Sequence, residues 1–244
     1  YFSAPDNPQS QSLRSGPDKY LADAIRRSRV SVDIAALQLD LWSIRDALVD
    51  AHRRGVAVRM VTDSDYLDQA EIQDLIKAGI PVLSDRREGL MHNKFVVIDR
   101  QEVWTGSMNL TINGAYRNDN PLIRIQSTRL AENYTVEFEE MFLDDRFGPG
   151  SPNQTPYPIF TINGIQLETY FSPDDGTEAR IIELIRSAKE SIFFLAFAFT
   201  SDPIADAMLE RAAQRVEVAG VFESSQYRSN LGTEFDRFKN AGLD

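Results

Sequence analysis

His92 and Lys94 stand two apart at the head of an apolar run, in the stretch GLMHNKFVVIDRQEVWTGSMN that spans residues 89–109. On a strand, side chains alternate with period two, so both would point to one face and act on one ligand. An imidazole can attack phosphorus or donate a proton near neutral pH, and a Lys ammonium supplies positive charge for non-bridging phosphate oxygens. Phe95, Val96, Val97 and Ile98 make the rest of the strand dry. Gly106 permits a tight turn, after which Ser107 and Asn109 present a hydroxyl and an amide. Together these residues form a phosphate site that needs no metal.

Such a strand needs a sheet, and the surrounding chain reads as one. Leu21 to Arg29 has helical spacing with Arg at its end, and Val30 to Leu39 is a β-rich apolar run. Ser43 to Arg54 reads as a helix closed by Gly55, and Val56 to Val61 as a strand. Leu67 to Ala78 follows as a helix closed by Gly79, then Ile80 to Leu83 as a strand. After the motif come a strand over Leu122 to Gln126 and an acidic helix over Leu130 to Phe147, whose run from Glu132 to Asp145 reads as a solvated face. Alternating helices and buried strands predict an α/β fold.

The chain also repeats itself. A shift of 160 residues lays Leu21–Ser64 on Ile181–Ser224 without a gap, bringing Ile25-Arg26 onto Ile185-Arg186, Asp46-Ala47 onto Asp206-Ala207, and Val56, Val58 and Val61 onto Val216, Val218 and Val221. Tyr1-Phe2-Ser3 reappears as Tyr170-Phe171-Ser172. Two homologous domains are expected: 1–147 with the complete motif, a Pro- and Gly-rich linker at 148–158, and 159–244 as the N-terminal part of a second domain. By the repeat, residue 244 falls just before the counterpart of the motif, so a continuation beyond Asp244 is expected. The run IFFLAFAFT at 192–200 aligns with 32–40 and predicts a buried central strand, while Arg215 in the place of Gly55 predicts a different turn.

Composition narrows the chemistry. The 244 residues contain no Cys, which excludes disulfides, thiolate nucleophiles and Cys-based metal sites. A formal charge of −11 argues against a broadly basic surface for duplex DNA. No apolar run approaches the roughly 18 to 20 residues that span a bilayer, so the chain reads as soluble. Its compartment is undetermined, and a secretory leader removed ahead of Tyr1 is compatible with the sequence.

The motif resembles that of the phospholipase D superfamily: His-x-Lys, four residues, Asp, then a Gly-Ser or Gly-Gly turn followed by Asn. His92, Lys94, Asp99, Gly106, Ser107 and Asn109 match it position by position. GSMNLT and RNDN most resemble the bacterial nuclease branch. The resemblance implies two homologous α/β domains, each a mixed sheet flanked by helices, with the second incomplete here. It also implies a metal-free and cofactor-free phosphodiesterase in which one His attacks phosphorus to give a phosphohistidine, while another protonates the leaving alkoxide and then activates water. Carried over, the catalytic set is His92, Lys94, Asp99 and Asp119, with Asp99 organising the motif and Asp119 orienting the imidazole. Lys94, Ser107 and Asn109 would bind the substrate phosphate.

Only one complete motif is present, so its partner half-site is expected from a segment beyond Asp244 or from a homodimer. Single-stranded or short nucleic acid is the favoured substrate. A phospholipid, hydrolysed or transferred to an alcohol, is the alternative, and a decayed binding or assembly module is the alternative of another class. Ser107 has a plainer reading as the cap of a helix beginning near Leu110. His52 reads as a solvated cation at a helix end, and Arg86 and Arg87 read equally as a solvated turn or as steering groups for a polyanion.

Overall fold

The computed structural model describes residues 1–243 and divides into two compact units, Tyr1–Asp175 and Gly176–Asp244, the second described through residue 243. The first unit contains α1 (Pro8–Gln11), α2 (Asp18–Arg27), β1 (Ser31–Ala36), α3 (Trp42–Arg53), β2 (Ala57–Thr62), α4 (Ala70–Lys77) and β3 (Val82–Ser84). It continues through β4 (Lys94–Ile98), β5 (Glu102–Gly106), α5 (Ile112–Tyr116), β6 (Leu122–Gln126), α6 (Thr128–Phe142), β7 (Ile159–Ile162) and β8 (Ile165–Glu168).

Six strands form one mixed sheet in the order β3-β2-β1-β4-β5-β6, parallel from β3 to β1 and antiparallel from β1 to β6. Both faces are covered, which is why every residue of β1 is buried and most of β4 is a continuous apolar run. Alternate residues enter different cores. Ile34, Met60 and Val96 pack with Leu21, Ile25, Ile44, Leu48 and Leu75 of the helices on one side. Their neighbours Ala35, Val61 and Val97 pack with Leu130, Phe138 and Met141 of α6, and with Phe160 of β7, on the other.

That second layer corrects the reading of the acidic run. Helix α6 stops at Phe142, and Asn133, Phe138, Glu140 and Met141 on it are buried. Burial, together with Glu140 and Asp174 nearby, pushes the Glu137 carboxyl up to about 8. Net charge along a segment does not reveal which face the β7–β8 hairpin will cover. The segment 148–158 runs along this same layer: Tyr157 N–H donates to Asn133 Oδ1 at 2.8 Å, and Asn133 Nδ2 donates to the Tyr157 carbonyl at 2.8 Å. The division between compact units therefore comes later in the chain, between Asp175 and Gly176.

The second unit contains α7 (Thr177–Ser187), β9 (Ser191–Ala196), α8 (Asp202–Ala213), β10 (Glu217–Phe222), α9 (Ser224–Ser229) and α10 (Phe235–Asn240). Under the 160-residue shift the bounds of β1, α3 and β2 become those of β9, α8 and β10. The pairing Ser31↔Ala57 likewise becomes Ser191↔Glu217.

Strand β9 pairs with β10 alone among the described residues, and Phe193 and Leu195 on it are exposed. One expectation fails in this unit: Arg215 does not make a different turn, since its φ of 68° repeats the left-handed conformation of Gly55 at 89°. A Cβ makes that conformation costlier but does not forbid it.

Candidate functional site

Lys94 opens β4 opposite Ala36, the last residue of β1, and Phe95 pairs with Thr105 on the other side. The head of β4 thus lies at the carboxyl end of the parallel strands, next to the Gly106 turn. Open α/β sheets bind ligands at this end, where the strand order switches direction. The Leu37 N–H donates to the Asn93 carbonyl at 3.2 Å, extending the β1 edge to the motif.

His92 is exposed while Lys94 is half-buried, and the Lys94 ammonium donates to the His92 carbonyl at 2.8 Å. Partial desolvation lowers the His92 pKa below its ordinary value, with help from the Lys94 charge and opposition from Asp63. Burial alone pushes the Lys94 ammonium down to about 8. At pH 7 the arrangement therefore holds a neutral imidazole, which is nucleophilic, beside an ammonium that is still mostly protonated.

Asp63 is a residue that sequence reading missed. It is buried at the end of β2, where Oδ2 accepts from the Met91 N–H at 2.9 Å and Oδ1 from the Asp65 N–H at 2.9 Å. It thereby fixes the residue before His92. The only sequence signal was an acid just past the C-terminal end of a parallel strand.

The turn after β5 has its own reasons. Gly106 has φ 148°, and a Cβ there would overlap the Pro121 carbonyl oxygen. Ser107 is exposed and donates to Asn120 Oδ1 at 2.8 Å. Asn109 has its Oδ1 shielded from solvent without a hydrogen-bond partner among the described residues, leaving a polar group for a ligand. The helix that follows is capped by Thr111, whose hydroxyl accepts from the Gly114 N–H at 3.0 Å. Ser107 is therefore not the helix cap.

Neither carboxylate placed in the catalytic set forms a hydrogen bond or ion pair with His92 among the described residues. Asp99 follows the far end of β4, five residues from Lys94, or roughly 17 Å along a strand. Its carboxylate accepts from the backbone N–H groups of Arg29, Val30 and Ser31 at 2.7 to 3.0 Å, which fastens β4 to the start of β1. It stands at the end of β4 opposite Lys94. Asp119 is exposed and forms no hydrogen bond or ion pair with the described residues; its neighbour Asn120 makes the contact to Ser107. Arg86 and Arg87 both pair with Asp145, at 2.6 and 3.4 Å, and Arg87 also stacks on Phe147. They clamp the end of α6. His52 lies in the last turn of α3, as expected.

The model of the family described as "Cardiolipin synthase, PLD-like domain" matches residues 21–142, half of the chain. The chain belongs to the phospholipase D-like family. Its matched region holds the whole six-stranded sheet and His92, Lys94, Ser107 and Asn109. Among curated relatives, a protein named phospholipase D from Rickettsia bellii is 37% identical over 122 residues, covering 49% of this chain and 61% of that one. The chain spans less than two thirds of the length of the curated relatives it matches.

Among solved structures, Nuc from Salmonella typhimurium, titled a phospholipase D family member, is 26% identical with a TM-score of 0.49, over 53% of this chain and 90% of that one. Polyphosphate kinase from Porphyromonas gingivalis shares the fold, with a TM-score of 0.63 and 13% identity over 84% of this chain and 33% of that one. No described helix of this phospholipase D-like chain is long and apolar enough to cross a membrane.

Proposed function

We propose that this protein is a metal-independent phosphodiesterase that works through a phosphohistidine. The observation that carries the reading is an imidazole with a lowered pKa beside a half-buried ammonium at the head of one strand, next to the turn that holds Asn109. In the first step a His92 ring nitrogen bonds to phosphorus as the bond to the leaving oxygen breaks, and a second half-site's His gives that oxygen its proton. In the second step the same His removes a proton from water, whose oxygen displaces the imidazole from phosphorus. Lys94 balances the charge that gathers on the non-bridging oxygens in both steps. The half-site here supplies one of the two imidazoles, and a two-motif assembly supplies the other.

Single-stranded or short nucleic acid is the proposed substrate, on the resemblance of the GSMNLT and RNDN stretches to the nuclease branch. Phospholipid is the second reading, favoured by the name of the Rickettsia bellii relative. The test offers a labelled single-stranded oligonucleotide and phosphatidylglycerol vesicles to the protein in excess EDTA, at rising salt. Oligonucleotide cleavage that salt suppresses is expected, because polyanion binding weakens with counterion concentration. Turnover of vesicles alone supports the lipid reading. Turnover of neither substrate overturns the enzyme reading in favour of a binding module.

A further inference from the structure

We infer that Asn120 is a positioning residue for the phosphate-binding turn, and that it commits the single proton of Ser107 away from the substrate. This rests on the phosphodiesterase reading. All four polar groups of Asn120 are engaged. Its Oδ1 accepts from Ser107 Oγ at 2.8 Å and its Nδ2 donates to the Gly114 carbonyl at 3.0 Å. Its backbone N–H donates to Ser3 Oγ at 2.7 Å, and its carbonyl accepts from the Ser3 N–H at 3.0 Å.

The orientation of the amide follows from these partners. A carbonyl can only accept, so the side of the amide facing Gly114 must be the NH2 group, and the oxygen must face Ser107. Ser107 then has one proton and gives it to Asn120. Its hydroxyl presents only lone pairs to the site, so it cannot donate to a phosphate oxygen while this bond lasts. Phosphate recognition falls to the Lys94 ammonium and the Asn109 amide, and the part of Ser107 is to hold the turn in place.

The holding point is rigid because the N-terminal segment is tied to it. Tyr1 N donates to the Leu122 carbonyl at 2.9 Å, the Leu122 N–H donates back to the Tyr1 carbonyl at 2.8 Å, and Phe2 bridges to Pro121. The backbone at Pro121 in turn lies so close to Gly106 that no side chain fits between them. Ser3, Asn120 and Ser107 thus form one chain of contacts from the N-terminal segment to the turn.

The experiment measures binding of inorganic phosphate to the full chain by NMR titration of backbone amides, together with KM and kcat on a chromogenic phosphodiester. Wild type, Ser107→Ala, Asn120→Ala and the double variant are compared. The expected result is a five- to tenfold weaker phosphate affinity and a raised KM in each single variant. The double variant is expected to be no worse than Asn120→Ala, because both changes remove one contact. The kcat of the single variants should stay within about threefold of wild type, a split that general destabilisation would not produce. Should Asn120→Ala unfold through loss of the Gly114 contact, the Ser107→Ala variant reads the same hydrogen bond from an exposed position.

Losses that multiply in the double variant would overturn the inference by showing that Ser107 contacts phosphate independently. Unchanged affinity in both single variants would overturn it as well, leaving the enzyme reading intact. A wild-type protein that neither binds phosphate nor hydrolyses the ester would overturn the phosphodiesterase reading and the positioning role with it.

Discussion

Residues 31–62 and 191–222 trace the same strand, helix and strand with the same pairing register, yet their outer faces have opposite fates. In the first unit Ala35 and Val61 are fully buried beneath α6, whereas their counterparts Leu195 and Val221 are 87% and 62% exposed. The buried face also carries an ion pair. Arg59 donates to both oxygens of buried Asp33, at 2.7 and 2.9 Å, and reaches Glu139 on α6 at 3.4 Å. The second unit has Phe193 and Ala219 at the positions of Asp33 and Arg59. Among the described residues the same framework is covered in the first unit and open in the second. Strand pairing is set locally by helix–strand periodicity, while burial depends on which later elements fold back over the sheet. The first unit contains β4 to β6 and α6, and His92 and Lys94 stand at the head of β4.

Paired substitutions would break or sharpen this contrast. The largest difference is expected between Val61→Asp and Val221→Asp. The first places an unpaired charge in a closed core and should cost more than about 4 kcal/mol, enough to unfold the first unit; the second should change stability by about 0.5 kcal/mol or less. Urea melts of the two variants would check it, and equal losses would mean that the Val221 face is covered in solution.

Next in size is Glu137→Gln in α6, which has no counterpart among the described residues of the second unit. The native carboxyl titrates at about 8 against an ordinary 4.5. The folded state thus binds the extra proton, so the contribution to stability is fully present below pH 4.5 and is lost as pH rises through 8. The Gln variant should remove this decline and be more stable than wild type at pH 9, by on the order of 2 kcal/mol. Melting temperatures across pH 5 to 9 would show it.

The smallest effect is expected at the shared turn. Arg215→Gly should stabilise the second unit by about 1 kcal/mol by relieving the left-handed conformation that Gly55 adopts freely. A destabilised variant in thermal melts would show that the Arg215 side chain contributes more than its backbone costs.

The same contrast explains what could be read in advance. The helices and strands were legible because their apolar periods recur 160 residues apart, and β6 was placed to the residue at Leu122–Gln126. His92, Lys94, Ser107 and Asn109 were legible because they share one short stretch of chain that a single hairpin brings together. Asp63 and Asn120 were not, since each acts on the motif from another part of the chain and neither has a local pattern that announces it. Spacing alone does not show that the length of β4 places Asp99 at the end of the strand opposite Lys94. The partial burial of Glu137 is not legible because a segment's own residues do not say what will pack against it.

The pH profile and the nucleophile can be examined together. Turnover of a chromogenic phosphodiester should require His92 neutral and Lys94 protonated. As a function of pH, kcat/KM should rise through the lowered His92 pKa and fall near 8, where the ammonium discharges. The most direct test compares wild type with His92→Asn at pH 7 in excess EDTA. Activity that survives the chelator and falls by at least about a thousandfold in the variant is the predicted result, in the range seen when a covalent nucleophile is removed. Wild-type activity that EDTA abolishes, or that His92→Asn retains, would contradict a metal-free mechanism in which His92 attacks phosphorus.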